Sequence, residues 1–365
     1  MPKPFVSRYL PEPVDPLAFD PDPPARKAGP VGVLMVNLGT PDQPEAKDIR
    51  RYLAEFLSDP RVIEIPSVIW QVILRTAVLP RRPQALAPRY KEIWLDEGSP
   101  LLVWSQAQAD GVEQALRQDG VEVKVELAMR YGNPSIDAGL ARLRSAGCDR
   151  ILTVPMYPQY AASTTATAVD AVAACAARMR DQPELRFIKR YHDLSGYIDA
   201  LTQQLQSHWQ QNGKPQRLLL SFHGLPRRVI EQGDPYHRDC METASLLRKQ
   251  LGADGELLHV SFQSRFGAEK WLEPYTEPTL KAWGAAGITE VDVICPGFLA
   301  DCLETLEEIQ IECRDAFLAA GGKQFRYLPC LNDDPLWIAA FAQLVRQHLS
   351  GWVPSTSHIT EEFQC

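Results

Sequence analysis

Residues 221–228 read SFHGLPRR and follow the apolar run Leu218, Leu219, Leu220. Such a run reads as a buried strand, so the imidazole of His223 is predicted at a strand end. Gly224 and Pro226 shape a tight loop behind it. In a partly dry site, desolvation disfavours the imidazolium and keeps a lone pair free. A neutral imidazole can then accept a proton or bind a metal. The competing reading is a structural histidine that hydrogen-bonds a neighbouring carbonyl.

A second constellation spans residues 295–313, CPGFLADCLETLEEIQIEC. Asp301 suits a helix N-cap, and Glu304 follows three residues later, which is capping-box spacing. Glu304, Glu308 and Glu312 fall at i, i+4 and i+8, so a regular helix would carry them as one stripe. Leu303, Leu306 and Ile309 form an apolar face beside it. The row is either a solvated acidic face or a path that hands protons or a divalent cation inward from solvent.

Two further stretches admit two readings each. Residues 66–82, PSVIWQVILRTAVLPRR, suit a buried helix. The bracketing prolines, an exposed-type Trp70 and the Arg81–Arg82 pair equally suit a hydrophobic lip over a greasy ligand, in contact with a membrane surface. Trp271, within SFQSRFGAEKWLEP at 261–274, is either a core residue or a flat face for stacking a planar ligand.

The elements that must position these groups alternate between strand and helix. Apolar runs at 31–38, 121–130, 149–157, 185–190, 216–222, 257–262, 291–295 and 325–328 predict strands. Helical spacing covers 44–57, 136–146, 163–180, 195–211 and 335–350. The run VGVLMVNL is apolar almost throughout, as a strand covered on both faces would be. Alternation of this kind predicts an α/β fold with two doubly wound, Rossmann-like parallel sheets and helices on both faces. Ligands then bind beyond the carboxyl ends of the strands, which places 37–41, 130–134, 157–165, 221–226, 261–267 and 296–304 at the crevice. The expected division is an arm at 1–30, a first α/β domain at 31–165, a second at 166–330, a C-terminal helix at 331–350 packing back on both, and a tail at 351–365.

Composition bounds the function. The chain of 365 residues carries 38 basic and 46 acidic side chains, a net charge of −8, which argues against a nucleic-acid partner. The eight cysteines include no CxxC pair, and a chain of this length needs no disulfides for stability. Residues 1–30 hold nine prolines and no apolar core of the signal-peptide kind. Together these predict a reducing cytoplasm and no export. No run approaches a membrane span. After Leu38 stands NLGTP rather than GxGxxG, and neither a P-loop nor a GxSxG elbow occurs.

Taken together, LMVNLGTP, RRPQALAPRYKEIW with GSPLL, AMRYGNP, YPQYAASTT, SFHGLPRR, SFQSRFGAEKWLEP and FLADCLETLEEI occur in the order that marks the ferrochelatases, and the chain resembles that family from about Val31 to about Arg346. The resemblance implies two chelatase-like α/β domains with a cleft between them. It implies insertion of Fe²⁺ into protoporphyrin IX with release of two protons, the last step of haem biosynthesis. Protoporphyrin IX and Fe²⁺ are then substrates, and no resident cofactor is expected. By motif, His223 matches the family's essential histidine, Glu304 the carboxylate facing it, and Glu308 the next carboxylate of the acidic path, with all three as metal contacts. Arg82, Tyr90, Ser99, Arg130 and Tyr131 fall where the family contacts porphyrin or its propionates, and Leu38 and Trp271 fall on the cleft walls.

The residue chemistry agrees with that implication. A porphyrin is flat, large and apolar, so its site needs apolar walls with a few polar anchors. Arg82, Tyr90 and Ser99 could supply a guanidinium and hydroxyls to propionates. Losing two pyrrole protons needs a neutral base, and bending the macrocycle exposes its nitrogen lone pairs. Transient N and O ligands replace water on Fe²⁺. The chain also departs from the family. The tail GWVPSTSHITEEFQC has Cys365 alone, so no iron–sulfur cluster is expected. Cys302 stands where the animal enzymes have a second histidine. Leu38 stands where coproporphyrin-using relatives tend to have tyrosine, which favours protoporphyrin. Three other readings stand beside this one: a non-catalytic tetrapyrrole carrier, a cobalt or nickel chelatase for a more carboxylated tetrapyrrole, and a hydrolase using Ser221 or Cys302.

Overall fold

The computed structural model describes residues 9, 19–22 and 29–353. Most of the arm expected over 1–30 and of the tail expected over 351–365, Cys365 included, lies outside the described residues.

Each apolar run predicted as a strand forms one. The first sheet has the order β2 (Val123–Gly132), β1 (Val31–Thr40), β3 (Arg150–Pro155), β4 (Glu184–Phe187), and every pairing is parallel. The second repeats that order with β6 (Leu258–Gln263), β5 (Arg217–His223), β7 (Glu290–Ile294), β8 (Gln324–Tyr327), again all parallel. In both sheets the first strand sits second and the chain then crosses to its other side. That reversal opens a crevice at the carboxyl ends, between β1 and β3 in one half and between β5 and β7 in the other. β1 is buried along nearly its whole length, as its apolar run requires.

The division expected at residue 165 does not follow the sheets. β4, at Glu184–Phe187, pairs with β3 and closes the first sheet, so that sheet continues past 165. Periodicity identifies a strand but not the edge it joins.

The two halves share one core. A single apolar cluster includes Val33, Leu152 and Ile198 from the first half and Leu220, Phe262 and Ile294 from the second. The helix Pro335–His348 lies across it. Asp334 caps this helix through the Trp337 N–H at 3.0 Å, and the Trp337 indole donates to Gln108 on the helix Pro100–Gln118. Gln108 in turn donates to the Leu299 carbonyl of the second half at 2.8 Å.

Between β1 and β2 the chain inserts four α-helices, among them Ser67–Ile73 and Arg82–Ile93, and the π-helix Leu74–Val78. The 66–82 segment resolves its two readings by face. Val68 is 82% exposed and Val72 61%, with Ile65, Ile69 and Ile73 also exposed. Trp70 is not exposed as its surroundings suggested. It points inward, and its indole donates to the Leu57 carbonyl at 2.5 Å. The helix is therefore anchored by one aromatic side chain while its aliphatic face stays in solvent.

Candidate active site

His223 is the last residue of β5 and sits half-buried. Its Nδ1 lies 2.7 Å from the Gly224 carbonyl and donates to it, which leaves Nε2 as the nitrogen with a lone pair. Gly224 cannot be any other residue without displacement. A Cβ there would lie 2.7 Å from the Gln263 carbonyl and 3.1 Å from the Trp271 ring. The loop therefore presses the histidine end of β5 against β6 and the tryptophan.

Gln263, directly opposite His223 in the β5–β6 register, joins the histidine to the carboxylates. Its side-chain NH₂ donates to the Glu304 carbonyl at 2.6 Å and lies 3.4 Å from the Glu308 carboxylate. Its own carbonyl oxygen accepts from the Ser221 hydroxyl at 2.7 Å. Glu308 is held by Ser264, through the backbone N–H at 2.7 Å and the hydroxyl at 2.5 Å. Burial pushes the Glu308 carboxyl above the ordinary carboxylate range, and the Glu304 charge adds to this; the Ser264 donors and the nearby His223 pull it back. Glu308 thus feels both His223 and Glu304.

The expected stripe of Glu304, Glu308 and Glu312 is not present. Leu303–Leu306 forms one α-turn, Glu308–Cys313 is a π-helix, and Arg314–Ala319 returns to α. The wider turn spaces equivalent positions five apart rather than four. Glu307 and Glu312 share a face and both pair with Arg89, at 3.0 and 2.8 Å, while Glu308 turns inward alone. Burial raises Glu307 to about 7, with Glu312 adding to the rise and Arg89 opposing it. The expected capping box also differs. Cys302 is the N-cap, with Thr305 as its partner. Asp301 is buried and accepts from Thr305, Tyr327 and Asn332. Glu304 is therefore free of any capping duty.

The opposite wall comes from the insertion between β1 and β2. Leu38, Leu303 and Trp94 pack against a cluster that contains Tyr52 and Tyr90. Burial holds the Tyr90 hydroxyl well above its usual range, and Glu304 contributes; Tyr52 behaves alike. Arg82 lies over the Phe266 ring at 4.7 Å. Burial lowers its guanidinium while Glu304 raises it. Arg82 and Tyr90 thus lie close enough to Glu304 to feel its charge, Leu38 packs against the same cluster as Leu303, and Trp271 lies beside Gly224, next to His223. The Trp271 indole N–H is buried without an acceptor.

Ser99, Arg130 and Tyr131 do not present free groups to that space. The Ser99 hydroxyl is buried and accepts from Thr40 at 2.7 Å. Tyr131 is fully buried and donates to Asp59 at 2.9 Å. Arg130 pairs with Asp59 and donates to the Thr167 carbonyl. Each is thus engaged by a partner within the protein.

Sequence reasoning passed over Gln263, Ser264, Phe266, Tyr52 and Arg89. Nothing in their residue types marked them; the structure shows Ser264 at φ +63°, where non-glycine residues are uncommon, in a loop already placed at a strand end. The hydrolase reading finds no nucleophile. Ser221 is buried between Gln263 and Thr276, and burial and Glu304 keep the Cys302 thiol neutral.

A family model described as Ferrochelatase matches residues 30–349. Ferrochelatases of Bordetella pertussis and Bordetella bronchiseptica are each 61% identical over 348 residues, covering 95% of this chain and 96% of theirs. Among solved structures, SirB from Bacillus subtilis with Fe³⁺ aligns at a TM-score of 0.52 and 15% identity, covering 88% of this chain and 96% of that one. The sirohydrochlorin chelatase SirB from Bacillus subtilis subspecies spizizenii in complex with cobalt aligns at 0.50 and 14%, covering 87% and 94%. At these identities the structural matches establish the α/β fold alone.

Proposed function

The chain belongs to the ferrochelatase family, and from that premise we propose how its own residues carry the reaction. It is a metal chelatase, a lyase that inserts iron into a porphyrin for haem synthesis. Our reading is that the porphyrin is protoporphyrin IX, that Fe²⁺ and this macrocycle are the substrates, and that two protons leave as iron enters.

The observation that carries the reading is the His223 ring, whose Nδ1–H is committed to the Gly224 carbonyl. Nε2 is then available to take a pyrrole proton. Glu304 opposes it and receives iron or the second proton. Glu308, whose proton is held more tightly than an ordinary carboxyl's, relays between the site and solvent. Leu38, Tyr90 and Trp271 supply apolar walls that favour a bent macrocycle over a flat one. Arg82 supplies a cation for a propionate. Ser99, Arg130 and Tyr131 fix that wall rather than touch the ligand.

We also propose a peripheral role at the inner face of the membrane for a cytoplasmic protein. The exposed aliphatic face of Ser67–Ile73 supports it. Among the described residues no helix is long and apolar enough to cross a membrane.

The test is insertion of Fe²⁺ or Zn²⁺ into protoporphyrin, followed by metalloporphyrin absorbance. His223→Ala is expected to lose nearly all turnover while still binding porphyrin. Normal turnover in that variant would refute the assignment of the base, and a chain that binds porphyrin without turnover even as wild type would favour the carrier reading.

A further inference from the structure

The loop after β4 meets the helix Tyr236–Leu251 at a second group of metal-ligating side chains. We propose that His192, Asp193 and Glu242 form a divalent-cation site, separate from the insertion centre and suited to a first-row transition ion. One imidazole nitrogen and one oxygen from each carboxylate lie within 4.8 Å of one another.

His192 is the unusual member. It is 3% exposed. Its Nε2 lies 3.2 Å from Glu242 Oε2 and 3.8 Å from Asp239 Oδ1. Its Nδ1 is buried with no hydrogen-bond partner and stands 3.9 Å from Asp193 Oδ1. A neutral imidazole has one N–H. Given to Glu242, it leaves a lone pair on Nδ1 with no donor to meet it. Buried polar atoms are rarely left this way. A cation resolves the arrangement, because it binds a ring nitrogen and draws both carboxylates inward. Metal–ligand bonds of about 2.0–2.2 Å span ligand pairs up to roughly 4 Å apart. The Asp193 and Glu242 side chains are 59% and 45% exposed, so they can close the remaining gap and leave the ion a path from water.

The surroundings support the set. Asp239 is already taken, by Arg190 at 2.9 Å and by the Tyr160 N–H at 3.2 Å. The Thr243 hydroxyl donates to the His192 carbonyl at 3.0 Å and holds the loop on the helix. Imidazole with two carboxylates suits Fe²⁺, Co²⁺ or Zn²⁺ better than a hard cation. The helix also reaches the insertion centre. Its first residue, Tyr236, donates to the His223 carbonyl at 2.9 Å, six residues and about 9 Å of helix rise from Glu242. An ion at His192 would staple the first half's loop to the element that backs the catalytic histidine.

Co²⁺ alone is the probe, read by calorimetry and by its visible ligand-field absorption. A His223→Ala/Glu304→Gln chain removes the insertion centre. It is expected to keep one Co²⁺ per chain, and adding Glu242→Gln and Asp193→Asn is expected to weaken that binding at least tenfold. No residual binding in the double variant, or binding indifferent to the added changes, would overturn the site. Should the double variant fail to fold, ring resonances of the unaltered protein decide the matter. Co²⁺ should shift or broaden the His192 signals, and an imidazolium spectrum at His192 unaffected by Co²⁺ would refute the proposal. The Glu242→Gln single variant should retain iron insertion.

Discussion

Glu312 donates its backbone N–H to the Glu307 carbonyl, five residues back, at 2.9 Å. An α-helix would have closed that bond on Glu308. The wider turn frees Glu308 from its neighbours' face and points it toward Ser264 and His223. Wide turns of this kind cluster at functional sites because they re-aim a side chain at some cost in regularity. Here the re-aimed side chain is Glu308, the carboxylate we propose as the relay to solvent.

Replacing Glu304 by Gln keeps its shape and removes its charge. Insertion should slow by a factor on the order of 10²–10³, with little change in porphyrin affinity. Steady-state kcat beside porphyrin fluorescence quenching separates the two, and equal losses in both would mean that the residue serves packing.

Ser264→Ala removes one of the two donors that Ser264 gives Glu308 and leaves its backbone N–H. The donors lower the Glu308 pKa, so their loss raises it further. If the ionised form carries the relay, the acidic limb of the pH–rate profile should move up by about one pH unit. An unmoved limb would take Glu308 out of the rate-determining proton path.

Glu307 titrates near 7, above an ordinary glutamate. A carboxyl raised in the folded state contributes stability that is complete below its unfolded pKa, about 4.3, and lost as pH rises through about 7. Thermal stability should therefore decline between pH 5 and 8 in the wild type. Glu307→Gln should flatten that part of the slope, by no more than about 2 kcal/mol across the range. Denaturant melts at several pH values would detect it.

Val68→Glu with Val72→Glu alters side chains that are 82% and 61% exposed. Folding and solution turnover should change little. Sedimentation with anionic vesicles should fall several-fold. Unchanged sedimentation would remove the lip from membrane contact.

Much of this was legible in the residues, for identifiable reasons. VGVLMVNL is apolar at nearly every position, which only a strand covered on both faces requires. His223 stood out because an apolar strand runs straight into Gly and Pro. Other features depend on contacts that periodicity does not encode. The placement of β4 on the first sheet is a choice of edge. The π-turn at Glu308 answers to Arg89 and Ser264, one distant in sequence and the other on a neighbouring strand's loop. Ser99 and Tyr131 have the hydroxyls a propionate would want, but Thr40 and Asp59 claim them first.

The apolar cluster that passes unbroken from one sheet to the other also limits how the enzyme can move. Two lobes joined through a common interior cannot swing apart as a hinge would. Admission of the macrocycle and escape of its metallated form would then fall to the rim, where the Ser67–Ile73 segment is pinned by Trp70 and Gln71 and leaves an aliphatic face in solvent. Turnover in this chain should respond to what that exposed face rests on more than to the stiffness of the body beneath it.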